Sequence, residues 1–320
     1  MITKKESNMW YVMKAFAILF VVMAHMTFTG NYHIAEIIRT SIGQIGVVIF
    51  FVSSGYFYLR NPHDSKKYWT KKTKTLFVPW LIMSTAIFIL SALLFGAPDN
   101  VLFAYFKNFF GVGTVYWYMT TITVMLMIFR FINKDILLYT CMTISVISIA
   151  MSAMGIIKYT DWFNQYLNVF NWVGFFALGV LVRKYNLVEK MINNKIALIS
   201  LIGAVVTVVV AVIKGATIEA YIDFTSLFIE LFGLVLILNL SIVLANNKLL
   251  IDIGKKSFFI YLMHIQIVGA INTRLPYNVT FFILRPFIGL AVCYIITVLF
   301  SFILSKLRLE KIEFIFGLNR

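Results

Sequence analysis

Apolar residues fill long runs of this chain, and polar residues gather in short stretches between them. A helix that crosses a bilayer needs roughly twenty mainly apolar residues. Runs of that kind predict ten spans: Met9–Thr29, Ile42–Leu59, Leu76–Phe95, Thr114–Ile132, Ile136–Met154, Val169–Val182, Ile196–Ile213, Phe224–Ala245, Phe258–Thr273 and Phe281–Leu304. The sixth is the shortest. Val101–Phe110 reads as an interfacial helix with Lys107 turned to water. No polar stretch is long enough to fold as a second domain, so residues 1–320 are expected to form one all-α transmembrane bundle. The first span follows Lys4 and Lys5 as a signal peptide would, but it is too long for a signal core and further spans follow. It is expected to be an uncleaved helix.

Charge fixes an expected orientation. With the N-terminus inside, the outer loops hold only Arg39, Lys107, Lys158, Lys214, Arg274 and Arg285, and the rest of the 28 Lys and Arg fall inside. That asymmetry is the positive-inside pattern, and it requires an even number of spans with both termini cytoplasmic. It also accounts for the net charge of +15, which in a soluble chain would suggest nucleic acid; no nucleic-acid partner is expected here. Composition agrees: 61% of residues are hydrophobic and 13% charged, where a soluble domain has about 45–50% and about 25%. Lipid is the expected surrounding and a multi-pass place in a cell membrane the expected location. Cys141 and Cys293 each lie inside an apolar run, as small core residues do, and no metal is expected.

Ionisable groups inside spans are costly and mark candidate sites. His25 lies deep in a run with no other ionisable residue between Lys14 and His33. Eleven residues separate Lys14 from His25, which is about three turns and roughly 16 Å, so the two share a helix face. Glu230, in "TSLFIELFGLV", and His264, in "FFIYLMHIQIV", enter later spans at depths that can reach His25. A carboxylate or second imidazole there would orient His25 and raise its basicity. Plainer readings stand beside these: a packing histidine bonded to a carbonyl, a snorkelling glutamate, an interfacial lysine.

Three further stretches carry chemistry. "LRNPHDSKKYWTKKTKTLFVPW" holds Arg60 and a cluster of lysines with one acid, Asp64. Topology and anionic lipid explain most of that charge; Lys71, Lys72 and Lys74, just before Pro79, also suit the phosphates of a cytosolic polyanion. "GQIGVVIFFVSSGYFYL" places Gly43, Gly46, Ser53, Ser54 and Gly55 where a helix or a ligand comes close. Tyr116, Trp117 and Tyr118 form an aromatic cluster at the expected outer end of the fourth span, as an interfacial belt or as a platform for a sugar.

Taken together these stretches resemble the membrane acyltransferase type 3 family. The resemblance rests on the basic residue and histidine of "KAFAILFVVMAH" (Lys14, His25), "GVVIFFVSSGY" (Gly46–Tyr56), the basic pair Lys71 and Lys74 before Pro79, Trp117-Tyr118, "FFALGVLV" and "IGKKSFFIYLMH", and it covers nearly the whole chain in order. It implies a ten-helix bundle that moves an acyl group, usually acetyl, from cytosolic acyl-CoA to a carbohydrate, with a polysaccharide synthase or export protein as a candidate partner. The chain departs from the family in carrying lysine for arginine at the first- and third-helix positions, and no esterase-like domain is expected within residues 1–320.

The expected mechanism docks acyl-CoA over Lys71, Lys72 and Lys74, threads its arm along the Lys14–His25 face, and uses His25 as general base, oriented by Glu230 or His264. Ser54 and Tyr56 are expected to position the thioester, and Tyr116, Trp117 and Tyr118 to hold the sugar. A transporter or flippase for a glycan or small molecule, or a non-catalytic membrane domain that senses or scaffolds a synthase complex, remains the alternative on composition alone.

Overall fold

A computed structural model describes residues 3–26, 33–58, 65–132, 134–215, 224–275 and 279–318. The last residues of the first expected span (27–29), Leu59, Arg60, Asp64 and Arg320 lie outside the described residues. The described chain is helical and has no strands: α1 Lys4–Ala24, α2 His33–Tyr56, α3 Ser65–Lys72, α4 Val78–Phe95, α5 Val101–Phe109, α6 Trp117–Phe129, α7 Asp135–Ala153, α8 Val169–Lys184, α9 Leu187–Met191, α10 Asn194–Ile213, α11 Phe224–Val243, α12 Lys248–Arg274 and α13 Val279–Lys306. A π-helical turn, Thr73–Phe77, joins α3 to α4, and a 3-10 helix, Glu310–Phe316, follows α13. In hydrocarbon every backbone donor and acceptor must be satisfied within the segment, which is why apolar runs of this length become helices.

Seven of the described helical segments are long and apolar enough to cross a membrane: Lys4–Ala24, Ile34–Tyr56, Lys66–Phe95, Asp135–Ala153, Asn194–Ile213, Phe224–Val243 and Ile283–Lys306. The other three expected spans correspond to α6, α8 and α12. α6 has 13 residues. It starts at Trp117, after Gly111 and Gly113 adopt φ of 77° and 70° and turn the chain. α8 has 16 residues and is buried almost all round by its neighbours. α12 runs for 27 residues and starts ten residues before the expected span, because its first turns carry Lys248, Asp252, Lys255 and Lys256 beyond the apolar stretch. The expected interfacial helix is α5, whose Lys107 lies 5.3 Å from the Trp162 ring.

α1 is the centre of the bundle and packs on α2, α11, α12 and α13. The outer helices instead turn large apolar side chains outwards, as Ile199, Ile202, Val205 and Val209 of α10 do, which suits a lipid surround. Close approach depends on glycine, as the small residues of the second span predict. A Cβ at Gly43 would meet Ala24, and one at Gly46 the carbonyl of Ala17. Gly55 and Gly179 bring α2 against the α8 backbone, and Gly254 of α12 sits on the carbonyl of Tyr11 in α1. That last contact sets the α1–α12 spacing. Gly254→Ala forces the two backbones apart and is expected to cost roughly 1–3 kcal/mol of stability, read as a fall in melting temperature in detergent.

The π-helical turn also has a cause in sequence. Pro79 has no N–H to give to the carbonyl of Thr75 and its ring crowds that group, so the regular ladder cannot continue. The chain inserts a wider turn, with the Val78 N–H reaching Thr73. Lys71, Lys72 and Lys74 lie on or beside this turn.

Candidate functional site: an imidazole pair between two cavities

α1 ends at Ala24, and its last carbonyls are taken by side chains from two other helices. Arg39 of α2 donates to the Ala24 carbonyl, and Asn272 of α12 donates to the His25 carbonyl at 3.1 Å. Arg39 also lies 3.7 Å from Glu36. A cation and an amide at a helix C-terminus satisfy groups that would otherwise be orphaned in the membrane. They hold His25 by its backbone and leave its ring to line a cavity of about 760 Å³. The walls of that cavity carry amides, Gln44, Asn108, Asn164, Gln165 and Gln266, and the aromatic rings of Tyr116, Trp117 and Tyr166. No acidic residue lines it among the described residues.

His264 stands behind His25, with ring centres 5.2 Å apart. It is fully buried, and its Nδ1 lies 2.6 Å from the carbonyl oxygen of Tyr261, one turn earlier on α12. A carbonyl only accepts, so Nδ1 carries the proton and Nε2 of the neutral ring keeps its lone pair. Nε2 has no hydrogen-bond partner among the described residues. One imidazole is therefore fixed in orientation and tautomer, with an unpaired acceptor nitrogen left over among the described residues.

A second cavity, about 400 Å³, lies on the other side of Tyr261. Lys14, Ser54, Lys71, Lys72, Tyr118 and Tyr261 line it, with Ser54 Oγ 3.3 Å from the Tyr118 hydroxyl. It shares Lys71 and Thr75 with a basic cleft of about 510 Å³ that also holds Lys66, Lys67 and Lys74.

The lysine cavity and the histidine cavity share no lining residue. Two crossed hydrogen bonds lie between them: Tyr116 donates to the Leu262 carbonyl at 3.2 Å, and Tyr261 donates to the Val115 carbonyl. Tyr118 packs on Tyr261 at 5.6 Å. This tyrosine layer ties the start of α6 to the middle of α12.

Several expectations are corrected by this geometry. Lys14 and His25 do not line one channel, because the tyrosine layer lies between their depths. Tyr118 faces the lysine cavity, apart from Tyr116 and Trp117: α6 begins at Trp117, and about 100° of rotation per residue turns Tyr118 to another side. Tyr56 lines neither cavity; it donates to Glu6, packs at a tilt on Trp10 with ring centres 4.4 Å apart and has its ring centre 5.2 Å from the Arg183 guanidinium. Lys74 reaches the basic cleft but not the lysine cavity, while Lys71 lines both. Glu230 does not pair with either imidazole: it is fully buried in α11, and neither carboxyl oxygen has a hydrogen-bond partner among the described residues. Tyr261, Arg39, Asn272 and the cavity amides were not singled out by sequence. Gln44, Gln266 and Asn272 carried a signal, as amides inside apolar runs; Tyr261 carried none beyond its place in "IYLMH".

The comparisons with known proteins add a family. A model described as an acyltransferase domain matches residues 11–306. No curated protein and no solved structure matches the chain.

Proposed function

The chain belongs to the acyltransferase type 3 family, and from this premise we propose that it moves an acyl group, acetyl in the first instance, from cytosolic acyl-CoA to a hydroxyl of a cell-surface or lipid-linked carbohydrate. The bundle would span a bacterial plasma membrane ten times, with α6, α8 and α12 completing the seven longer spans and both termini in the cytoplasm. A polysaccharide synthase or export protein would deliver or receive the glycan. The observation that carries the reading is the pair of neighbouring cavities, one lined with lysine and Tyr261, the other with His25, amides and aromatic rings.

Each cavity suits one substrate. The basic cleft and the lysine cavity share Lys71 and Thr75 as wall residues, so phosphates held at the cleft would leave a thioester near Ser54, Tyr118 and Tyr261. Lysine serves there as a point charge, without the paired contacts of arginine. Amides and ring faces are the groups that bind sugar hydroxyls and the apolar faces of pyranose rings, and the histidine cavity offers both. In the reaction the acceptor oxygen attacks the thioester carbon and gives its proton to His25. The C–S bond breaks, and the departing thiolate takes a proton back from the imidazolium. His264 stands where the two substrates meet, and the tyrosine layer must part for the acyl group to pass.

The reading is tested by giving membranes that contain the chain acetyl-CoA labelled in the acetyl group and following label into glycan. Mass spectrometry of surface glycans with and without the chain should show an ester that disappears. No label on any carbohydrate would end the proposal and favour transport. Lys71→Ala with Lys74→Ala is expected to raise the apparent KM for acyl-CoA roughly a hundredfold or more, since each of the two charge-assisted contacts is worth about 1.5–3 kcal/mol, and to leave the KM for glycan unchanged.

A further inference from the structure

The basic cleft contains one group that charge alone does not explain. Among Lys66, Lys67, Lys71 and Lys74 stands the ring of Phe314. A run of lysines suffices for topology and for contact with anionic headgroups, and neither needs an aromatic residue in the cleft wall. Phe314 is carried by the 3-10 helix Glu310–Phe316, and that helix is anchored by other residues. Phe316 packs on Phe300 of α13 at 4.9 Å. Glu313 accepts from Ser301 at 2.7 Å and Glu310 from Ser305 at 3.0 Å. Gly317 lies against Phe258 of α12. With its neighbours engaged in holding the helix, Phe314 is the residue of this segment that lines the cleft, and it is half-buried there.

A flat ring, four cations and a neighbouring cavity that shares Lys71 and Thr75 as wall residues suit one kind of ligand end: a nucleobase with several phosphates, attached to an arm that enters the bundle. We propose that Phe314 stacks on the adenine of the acyl-CoA donor while the cleft lysines hold its phosphates. This rests on the acyl-CoA reading above and deepens it, because it assigns recognition of the nucleotide to a segment outside the region that the acyltransferase-domain model matches, residues 11–306. Ring stacking recognises the base without hydrogen-bond readout, and its loss weakens binding by roughly tenfold. A lipid headgroup brings phosphate but no purine, so the two sources of phosphate are separable.

The test uses the full chain in nanodiscs of zwitterionic lipid. Adenosine 3′,5′-bisphosphate is the binding probe, and acetyl-CoA and S-acetylpantetheine are compared as donors. Phe314→Leu keeps an apolar side chain on the anchored helix and Phe314→Trp keeps a ring; melting temperatures confirm that both fold. Phe314→Leu should weaken the bisphosphate and raise the KM for acetyl-CoA roughly tenfold, leave the KM for S-acetylpantetheine unchanged, and be rescued by Phe314→Trp. Equal changes with both donors, or none with either, would overturn the proposal. So would bisphosphate binding that ignores Phe314→Leu but collapses when phosphatidylglycerol is added to the disc, which would make the cleft a headgroup site. Nucleotide binding that depends on Phe314 in a chain transferring nothing from any thioester would sink the transferase reading and keep this one.

Discussion

His25→Ala is expected to reduce acyl transfer by about 10²–10⁴-fold, the usual contribution of a positioned general base, while the protein inserts and melts as before. The structural grounds for intact folding are specific. Arg39 and Asn272 hold the end of α1 through the carbonyls of Ala24 and His25, which alanine retains. The lost ring lines a cavity, so its removal enlarges that space and leaves the core around α1 packed. The measurement is label transferred from acetyl-CoA to glycan at saturating concentrations of both, with donor binding measured in parallel. Because the donor cleft and lysine cavity share no lining residue with the cavity of His25, donor binding should persist. Transfer within a few-fold of the native rate would take His25 out of the chemistry and leave it as a residue of the cavity wall.

The amino-acid sequence singles out this ring but not its surroundings, and the reason is physical. In lipid, an apolar run must satisfy its own backbone and becomes a helix, so the bundle is legible from hydrophobicity, and an imidazole inside such a run stands out because its burial is costly. Gly43, Gly46 and Gly55 are legible for a similar reason, since their lack of a side chain marks close approach. What a one-dimensional pattern does not hold is which side chain meets which across the bundle. Tyr116 reaches Leu262 and Tyr261 reaches Val115 across 146 positions of sequence. Those two contacts divide what reads in sequence as one polar stripe from Lys14 to His25 into two cavities. Glu230 shows the same limit. A carboxyl in an apolar helix can turn to any neighbour, and this one lies in α11 without the imidazole partner expected of it.

Dividing the stripe changes what the enzyme has to do. On the function proposed above, a donor bound on one side and an acceptor on the other would keep the thioester away from water on the acceptor side until the tyrosine layer parts, and hydrolysis of the donor is the side reaction that such a layer would suppress. On that reading His264, whose ring centre lies 5.2 Å from that of His25 and 5.7 Å from that of Tyr261, would matter as much as the base proposed for the acceptor cavity.

His264→Asn separates the two things that His264 can do. The asparagine amide can still donate to the Tyr261 carbonyl, as Nδ1 does at 2.6 Å, so the α12 backbone keeps its contact. The variant has no group that replaces Nε2, the nitrogen left with a lone pair and no partner among the described residues. Were His264 only a packing residue bonded to a carbonyl, the asparagine would restore most of the activity that alanine loses. We expect instead that His264→Asn and His264→Ala fall alike, by about 10²-fold or more, with His264→Asn melting nearer the native chain than His264→Ala. Rescue of transfer by asparagine would assign His264 to structure and leave His25 to work alone. Joint failure, with donor binding intact, would place a second proton-handling nitrogen in the ring centred 5.2 Å from that of His25, on the line where the acyl group must cross.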